Sequence, residues 1–555
     1  MERNIACDIA ETLKKSGLDK FFMLTGGDQA LWIALRDQGV KMIVARSEAS
    51  AVYMADGYAR ASGGPAVVYG QAGPGAANVA AALADAFWAQ SPVMALTGTT
   101  ATGFRHANEY QDLDQFSMFG PVTRWNARAE NPGQAVALIR QALRMTMAGT
   151  PGPVHLDIPK DFFAIPSKGL KGDFRPLSPP NLDYPGDSAI LADMVEKLRQ
   201  ARRPVILAGE GVRFAGAGQE LAHLATAAGL PIVATMGGKP AVLASHPNFI
   251  GITGRYSSVK ANAILKDADT VLVLGSRLGG LATKGYTIPS PDARILQIDG
   301  DASAFANPFF PECCLWADLR AALKKMAEMF GDQPLPGAWL SQCRETVEAW
   351  RRGVRAAMEA PDKPGVVSPM AVLSSLANLG DAITLVADTG YMAAWTGVLY
   401  PLARYDGFFR AAGSLGWALP ASLGIQMAKG GKTICVTGDG GIGYHLADIE
   451  TAVRYKLPVV IVVLNNDCLA FEYHEQKYRW QGQVVDEANN FTRVSYAAAA
   501  EALGARGIRA DTRLKVDEAL REAMRRDEPT IVEVVTDPEA FPPVSNFEAV
   551  MERTI

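Results

Sequence analysis

Short runs of β-branched and other apolar residues recur along the whole chain and alternate with alanine- and leucine-rich stretches. Pro65–Tyr69, Pro92–Leu96, Pro204–Leu207, Thr270–Leu274, Thr433–Thr437 and Val459–Leu464 are such runs. Each is too short to span a bilayer and too continuously apolar for a strand with one wet face. Parallel strands covered by helices on both faces meet both conditions, so the rhythm predicts α/β domains with doubly wound parallel sheets. The 555 residues exceed what one core serves, because single cores stop growing at about 250–300 residues.

Proline marks the expected boundaries. Residues 164–187 carry Pro166, Pro176, Pro179, Pro180 and Pro185; residues 331–367 carry Pro334, Pro336, Pro361 and Pro364 around an expected helix from Trp339 to Met358. Proline blocks helix interiors and central strands, so three domains are predicted, at 1–165, 188–333 and 366–555. The first and third could be distant structural copies. A net charge of −4 offers no field for nucleic acid or an anionic membrane. Met1–Asn4 leads into an amphipathic pattern without an apolar leader core, so no signal peptide is expected. Six cysteines without a CxxC spacing suit free thiols in a cytoplasmic protein and give no support to a zinc site.

The most informative chemistry lies between Thr433 and Asn466. One predicted strand ends in Gly438-Asp439-Gly440-Gly441, a helix is expected around Leu446 to Tyr455, and a second strand ends in Asn465-Asn466. Both polar clusters fall at the carboxyl ends of parallel strands, where α/β folds bind ligands. Asp439 offers an anionic oxygen, Asn466 an amide oxygen, and the backbone of Cys468 a carbonyl. Mg²⁺ takes such hard oxygens and completes its shell with phosphate and water. Gly440 and Gly441 permit close backbone approach to a diphosphate. A Gly-Asp-Gly turn alone is common; its pairing with Asn-Asn across 24 intervening residues is far more specific.

This pairing resembles the thiamine-diphosphate signature, and the wider chain resembles the acetohydroxyacid (acetolactate) synthase and pyruvate decarboxylase superfamily. Gly73-Pro74-Gly75-Ala76-Ala77-Asn78, the stretch Pro151–Lys160 and the stretch Gly413–Pro420 carry the likeness beyond the metal motif. The resemblance implies pyrimidine-binding, central and diphosphate-binding domains in that order. It implies that Glu48, at a helix start, hydrogen-bonds the aminopyrimidine and favours the imino tautomer that removes the thiazolium proton. By the same likeness Leu415 is the wedge that bends the cofactor, the Gly413 carbonyl accepts its amino group, and Tyr391 stands in the cofactor pocket with Phe471, Tyr473 and His474 nearby. Without the family pattern, Glu48 would read as a glutamate stabilised by the helix dipole, and Leu415 as a core leucine. Glu48 and Asp439 would come from different chains, which implies a homodimer or homotetramer with active sites between subunits.

Other positions bear on the branch. Tyr110-Gln111-Asp112 stands where synthase-like members have Phe-Gln-Glu, so Gln111 would face a bound intermediate. Gly26-Gly27-Asp28-Gln29 and Glu472, six residues after Asn466, resemble the acids of pyruvate decarboxylase-like enzymes. Burial and mutual repulsion would divide proton work between two such acids. The His-His pair of those decarboxylases is absent from Thr99–Gly103, leaving His106 as the nearest histidine. Synthases usually have Gln and His where Tyr391 and Met392 stand. In the central domain Gly209-Glu210-Gly211 does not give a dinucleotide fingerprint. Ser276-Arg277-Leu278-Gly279-Gly280 replaces the Arg-Phe-Asp-Asp-Arg of FAD-binding synthases, so FAD is expected less than its absence, and the ADP part of coenzyme A stays open. The favoured expectation is a Mg²⁺-dependent carboligase that decarboxylates a 2-oxo acid and traps the product on an aldehyde or ketone. A simple decarboxylase releasing an aldehyde is the alternative, and a catalytically silent cofactor-binding homologue the second.

Overall fold

The computed structural model describes residues 2–170, 183–331 and 333–544. Its strands form three six-stranded sheets in which every registered pair is parallel. The first contains β1 (Lys20–Met23), β2 (Lys41–Val44), β3 (Ala66–Gly70), β4 (Val93–Thr99), β5 (Trp125–Arg128) and β6 (Val154–Pro159), in the order β2-β1-β3-β4-β6-β5. The second contains β7 (Pro204–Ala208), β8 (Ile232–Ala234), β9 (Phe249–Ile252), β10 (Thr270–Leu274), β11 (Arg294–Asp299) and β12 (Cys313–Trp316), in the order β12-β11-β10-β7-β8-β9. The third contains β13 (Ile383–Ala387), β14 (Phe408–Arg410), β15 (Lys432–Gly438), β16 (Val460–Asn465), β17 (Arg506–Ala510) and β18 (Thr530–Val535), in the order β14-β13-β15-β16-β18-β17.

Counted from its own first strand, the third sheet repeats the order of the first, so both ends of the chain follow one plan. The central sheet instead reverses direction between β7 and β10, the dinucleotide-fold topology. All six apolar runs of the sequence fall in strands. Of the expected boundaries, residues 171–182 lie outside the described residues, as do position 332 and residues 545–555 of the third expected domain. No helix among the described residues is long and apolar enough to cross a membrane, and the six cysteines are free thiols.

The helix Glu48–Ser62 shows why the two ends belong together. Ser47 caps it by accepting the Ser50 N–H, and Gly63 ends it in the left-handed region at φ 72°. Small residues dominate its length, and most are buried because it crosses the helix Ala418–Lys429 of the third domain at backbone contact. A Cβ on Gly57 would lie 2.3 Å from the Ala421 carbonyl oxygen, and one on Gly424 would lie 1.9 Å from that of Met54. One apolar core therefore contains residues of both ends, among them Phe22, Met54, Trp417, Leu423 and Ile461. The central domain buries its own clusters.

Lys239 ties the central domain to the third. Its ammonium is buried and donates to the carbonyls of Thr396 (2.7 Å), Gly397 (2.8 Å) and Tyr400 (2.6 Å), the unsatisfied end of the helix Tyr391–Leu399. Lys239→Met leaves the Gly397 and Tyr400 carbonyls without this donor, Thr396 keeping the Tyr400 N–H at 3.1 Å, and is expected to destabilise the protein by about 3 kcal/mol or more. Denaturant unfolding measures this; a loss of under about 1 kcal/mol would mean that water replaces the ammonium.

Two helices differ from expectation. The Trp339–Met358 helix gains one residue at each end, running Ala338–Glu359. The stretch after β15 holds two short helices, Asp439–His445, which the expectation did not include, and Asp448–Arg454, which falls within the expected Leu446–Tyr455. The first begins on the acidic residue of the Gly-Asp-Gly-Gly turn. The second begins at Asp448, whose carboxylate leaves the helix line to accept from the Arg46 N–H (3.0 Å), the Ser50 hydroxyl and the Thr451 hydroxyl (2.9 Å). These ties to the first domain fix the break.

Candidate active site

Two polar clusters occupy the carboxyl ends of the terminal sheets. In the first domain β3 ends before Gln71, and the chain turns through Gly73 at φ 68° into the helix Pro74–Trp88. Proline in the first turn is pre-set for a helix start. From that helix Asn78 donates its amide N–H to a Glu48 carboxylate oxygen at 3.1 Å. Gly75 leaves room for the acid, since a Cβ there would lie 3.1 Å from Glu48 Oε1. Gln71 donates to Gln111 Oε1 at 3.1 Å, and Gln111 sits in the left-handed region at φ 64°. A Cβ on Gly73 would come within 2.9 Å of the Gln111 backbone oxygen. Glu48, Gly73, Pro74, Asn78 and Gln111 thus form one cluster.

Asp28 joins it from the end of β1. It is buried and accepts a short hydrogen bond from the Tyr69 hydroxyl. Burial pushes its carboxyl up to about 6, against the opposing pull of Tyr69 and of the Lys160 charge. Tyr69 is itself held edge-on by Trp32, with ring centroids 4.7 Å apart. The turn before Asp28 packs on Gln71: a Cβ on Gly26 would lie 2.0 Å from its Oε1. His106 is not part of this cluster. It is exposed at φ 61°, and among the described residues its backbone N–H bonds Asp112 at 3.4 Å while its ring makes no hydrogen bond.

The second cluster lies where β15 and β16 end side by side. Asp439 accepts from the backbone N–H groups of Gly440 (2.8 Å), Asn466 (3.2 Å) and Cys468 (3.0 Å). A left-handed residue, Asp467 at φ 57°, lets the chain fold around it. Burial raises the Asp439 carboxyl to about 6, against these three donors. Among the described residues the Asn466 side-chain amide makes no hydrogen bond, and the Cys468 carbonyl accepts only from Ala470 N–H at 2.9 Å. A carboxylate, a free amide oxygen and a carbonyl with a spare lone pair in one turn fit Mg²⁺, which would hold Asp439 ionised.

Glycine shapes the surrounding loops. Gly441 lets its helix begin against Asp388, whose Oδ2 a Cβ would approach to 2.5 Å; Gly440 packs under Leu469 in the same way. Gly438 has no neighbour nearer than 3.8 Å to such a Cβ, and Gly413 has none within 4 Å. Asp388 is wholly buried, pushed up to about 6 by burial, and gathers the Thr389 N–H (2.9 Å), the Gly416 N–H (3.0 Å) and the Thr437 hydroxyl (2.7 Å). It draws the ends of β13 and β15 and the 413–416 loop to one point. Leu415 is half-buried and belongs to none of the core clusters. Tyr391 is buried, bonds His474 Nδ1 at 2.7 Å and meets Phe471 edge-on at 5.5 Å. Tyr473 turns away to Glu539 (2.9 Å), and Glu472 is exposed.

Sequence reasoning missed Tyr69, Gln71 and Gln115, and gave Asp388, just past the strand Ile383–Ala387, no role of its own. Gln115 accepts the Gly73 N–H at 2.9 Å and donates to Asp157 at 2.9 Å, bracing the Gly73 turn. Gln71 and Asp388 stand just past strand ends, a position that could have flagged them. A cavity of about 740 Å³ opens beside the β7/β10 reversal, lined by Glu210, Ser276 and Arg277 of the central domain with Arg60 and Arg410.

Residues 3–118 match the thiamine pyrophosphate enzyme N-terminal TPP binding domain, residues 191–326 its central domain, and residues 388–534 its C-terminal TPP binding domain. The chain is 28% identical to the probable acetolactate synthase large subunit of Methanocaldococcus jannaschii over 97% of this chain and 92% of that protein. It is 28% identical to the probable acetolactate synthase large subunit of Methanococcus aeolicus over 91% and 87%. It is also 28% identical to the acetolactate synthase isozyme 3 large subunit of Escherichia coli over 95% and 94%.

Proposed function

Because this chain belongs to the thiamine-diphosphate-dependent enzymes of the acetolactate synthase and pyruvate decarboxylase superfamily, we propose that it decarboxylates a 2-oxo acid and joins the remaining acyl unit to a second carbonyl. The turn 466–468 folded around Asp439 at the ends of β15 and β16 carries this reading. When bound, thiamine diphosphate supplies a nucleophilic carbon and an electron sink. Asp439, the Asn466 amide and the Cys468 carbonyl would hold Mg²⁺ for the diphosphate, with Gly438, Gly440 and Gly441 leaving the backbone approachable. Glu48 would share a proton with the pyrimidine nitrogen, Gly413 would accept from the amino group, and Leu415 and Tyr391 would form walls of the pocket. Gly73, Pro74 and Asn78 fix the rim on the Glu48 side. Gln111, held by Gln71, orients the incoming carbonyl. Intact Glu48, Asp439 and Asn466 weigh against a silent homologue.

The two clusters are joined across a homodimer or homotetramer. Phe104, Tyr110, Leu113 and Phe116 are exposed around the Gln111 loop, and Tyr444 and Phe491 around Asp439. Apolar surface of this kind is normally covered by a partner. The central cavity has the size for a nucleotide-class ligand. Gly279 and Gly280 in place of an acidic and a basic residue disfavour FAD there, and flavin absorption of the purified protein is the direct test.

Incubation with a panel of 2-oxo acids, with and without aldehyde acceptors, tests the reaction by mass spectrometry. Ligated products support the proposal, and carbon dioxide with none sinks ligation. Asp28 favours aldehyde release as a second outcome, because its carboxyl is protonated below about pH 6. If it donates the releasing proton, aldehyde yield falls as pH rises through about 6, and Asp28→Asn flattens that fall without abolishing ligation. A pH-independent aldehyde yield in the unaltered enzyme would remove Asp28 from this role.

A further inference from the structure

Behind the Gly413 loop lies a buried charged cluster that neither the sequence nor the mechanism above has used. Asp56 and Arg60 come from the helix Glu48–Ser62, and Asp85 from the helix Pro74–Trp88. The side chains of both aspartates are fully buried and that of Arg60 nearly so. Arg60 Nε and Nη2 donate to the two Asp56 oxygens at 2.8 and 2.6 Å, and Nη2 also reaches Asp85 Oδ1 at 3.0 Å. Asp56 accepts from Trp417 Nε1 at 2.7 Å, and the guanidinium lies 4.6 Å over the Trp417 ring. Arg60 Nη1 donates to the Arg410 carbonyl at 2.8 Å.

Asp85 differs from Asp56 in what it grips. It accepts three consecutive backbone N–H groups of the third domain: Ala412 on Oδ1 at 2.9 Å, Gly413 on Oδ2 at 2.9 Å and Ser414 on Oδ2 at 2.8 Å. Packing alone does not require three donors in succession to point at one carboxylate. The arrangement has a directional consequence. In a trans peptide the C=O points opposite to the N–H of the same unit, and the Gly413–Ser414 bond is trans. Fixing the Ser414 N–H on Asp85 therefore turns the Gly413 carbonyl away from Asp85. Gly413 is exposed, and among the described residues its carbonyl accepts no hydrogen bond that would orient it.

We propose that Asp85 is the positioning residue that aims the Gly413 carbonyl at the cofactor's amino group, with Arg60 holding Asp85 in place. The inference rests on the Gly413 role proposed above and deepens it. A first-domain carboxylate sets the backbone of a third-domain loop, and the loop sets the cofactor. Asp85 touches neither cofactor nor substrate. Its removal should slow removal of the thiazolium proton more than it weakens cofactor binding, because the diphosphate and metal contacts stay in place.

Asp85→Asn puts an amide NH₂ against backbone donors. The test measures hydrogen–deuterium exchange at the thiazolium carbon of thiamine diphosphate bound with Mg²⁺, cofactor affinity by tryptophan fluorescence, and thermal unfolding. Exchange is expected to slow about tenfold or more, with affinity changed by less than about threefold. Asp56→Asn breaks the same cluster without touching 412–414 and serves as the stability-matched control, slowing exchange by less than about threefold. Exchange in Asp85→Asn within about twofold of the unaltered protein overturns the proposal, as does an equal slowing by Asp56→Asn. If Asp85→Asn does not fold, Asp85→Glu, which keeps the charge but displaces the acceptor, is held to the same criteria. Glu48→Gln in the same assay separates the two layers. Slowed exchange there with normal exchange in Asp85→Asn refutes Asp85 alone; unchanged exchange in Glu48→Gln refutes the cofactor reading, and Asp85 falls with it.

Discussion

Glu48→Gln is expected to lower turnover by about two to four orders of magnitude while thiamine diphosphate still binds. The substitution is nearly isosteric. Its amide oxygen can keep the hydrogen bond from Asn78, now 3.1 Å long, so the helix start and the Gly73 turn are retained. What it loses is the ability to share a proton with a ring nitrogen. On the proposed reading, binding would draw mainly on the diphosphate end, held by the third domain. Turnover and cofactor affinity measured side by side decide the matter: activity within tenfold of the unaltered enzyme would end the activating role.

Asp439→Ala acts at the opposite end and should change binding rather than rate. The carboxylate organises its own site, because the Gly440, Asn466 and Cys468 N–H groups all converge on it. On the proposed reading alanine would remove an anionic ligand, and it frees the 466–468 turn from its acceptor. Loss of outer-sphere support alone typically costs about 10–100-fold in metal affinity, so losing a ligand together with its scaffold should cost about a hundredfold or more. Tryptophan fluorescence titrated with thiamine diphosphate at several Mg²⁺ concentrations reads this out. Unchanged Mg²⁺ dependence would take the metal away from Asp439.

The sequence disclosed the strands because full burial makes each one apolar from end to end. It allowed Asp439, Asn466 and Cys468 to be grouped because all three sit at two adjacent strand ends joined by one crossover, and their role as metal ligands belongs to the proposed function. Residues whose partners are remote stayed hidden. Tyr69 meets Asp28 41 positions away, Lys239 caps a helix about 160 positions on, and Asp85 reaches a loop 327 to 329 positions away. No local pattern marks such residues, since each reads as an ordinary strand or helix position until the domains are packed. The same reason explains why the break before the helix Asp448–Arg454 went unread, since Arg46 and Ser50 from the other end of the chain hold Asp448 there.

The apolar core common to the first and third sheets has a consequence for how such chains can be recombined. The proline-rich boundaries suggest three exchangeable pieces, yet the first and third share a core, whereas the middle one carries its own interior together with the helix Ala338–Glu359, which supplies Cys343 and Val347. A fragment stopping after the first sheet would leave the small-residue face of Glu48–Ser62 bare, with Gly57 shaped to an Ala421 no longer present. A hybrid built with a relative should therefore trade both ends as a pair, and the centre can be grafted alone once the Lys239 anchor is kept.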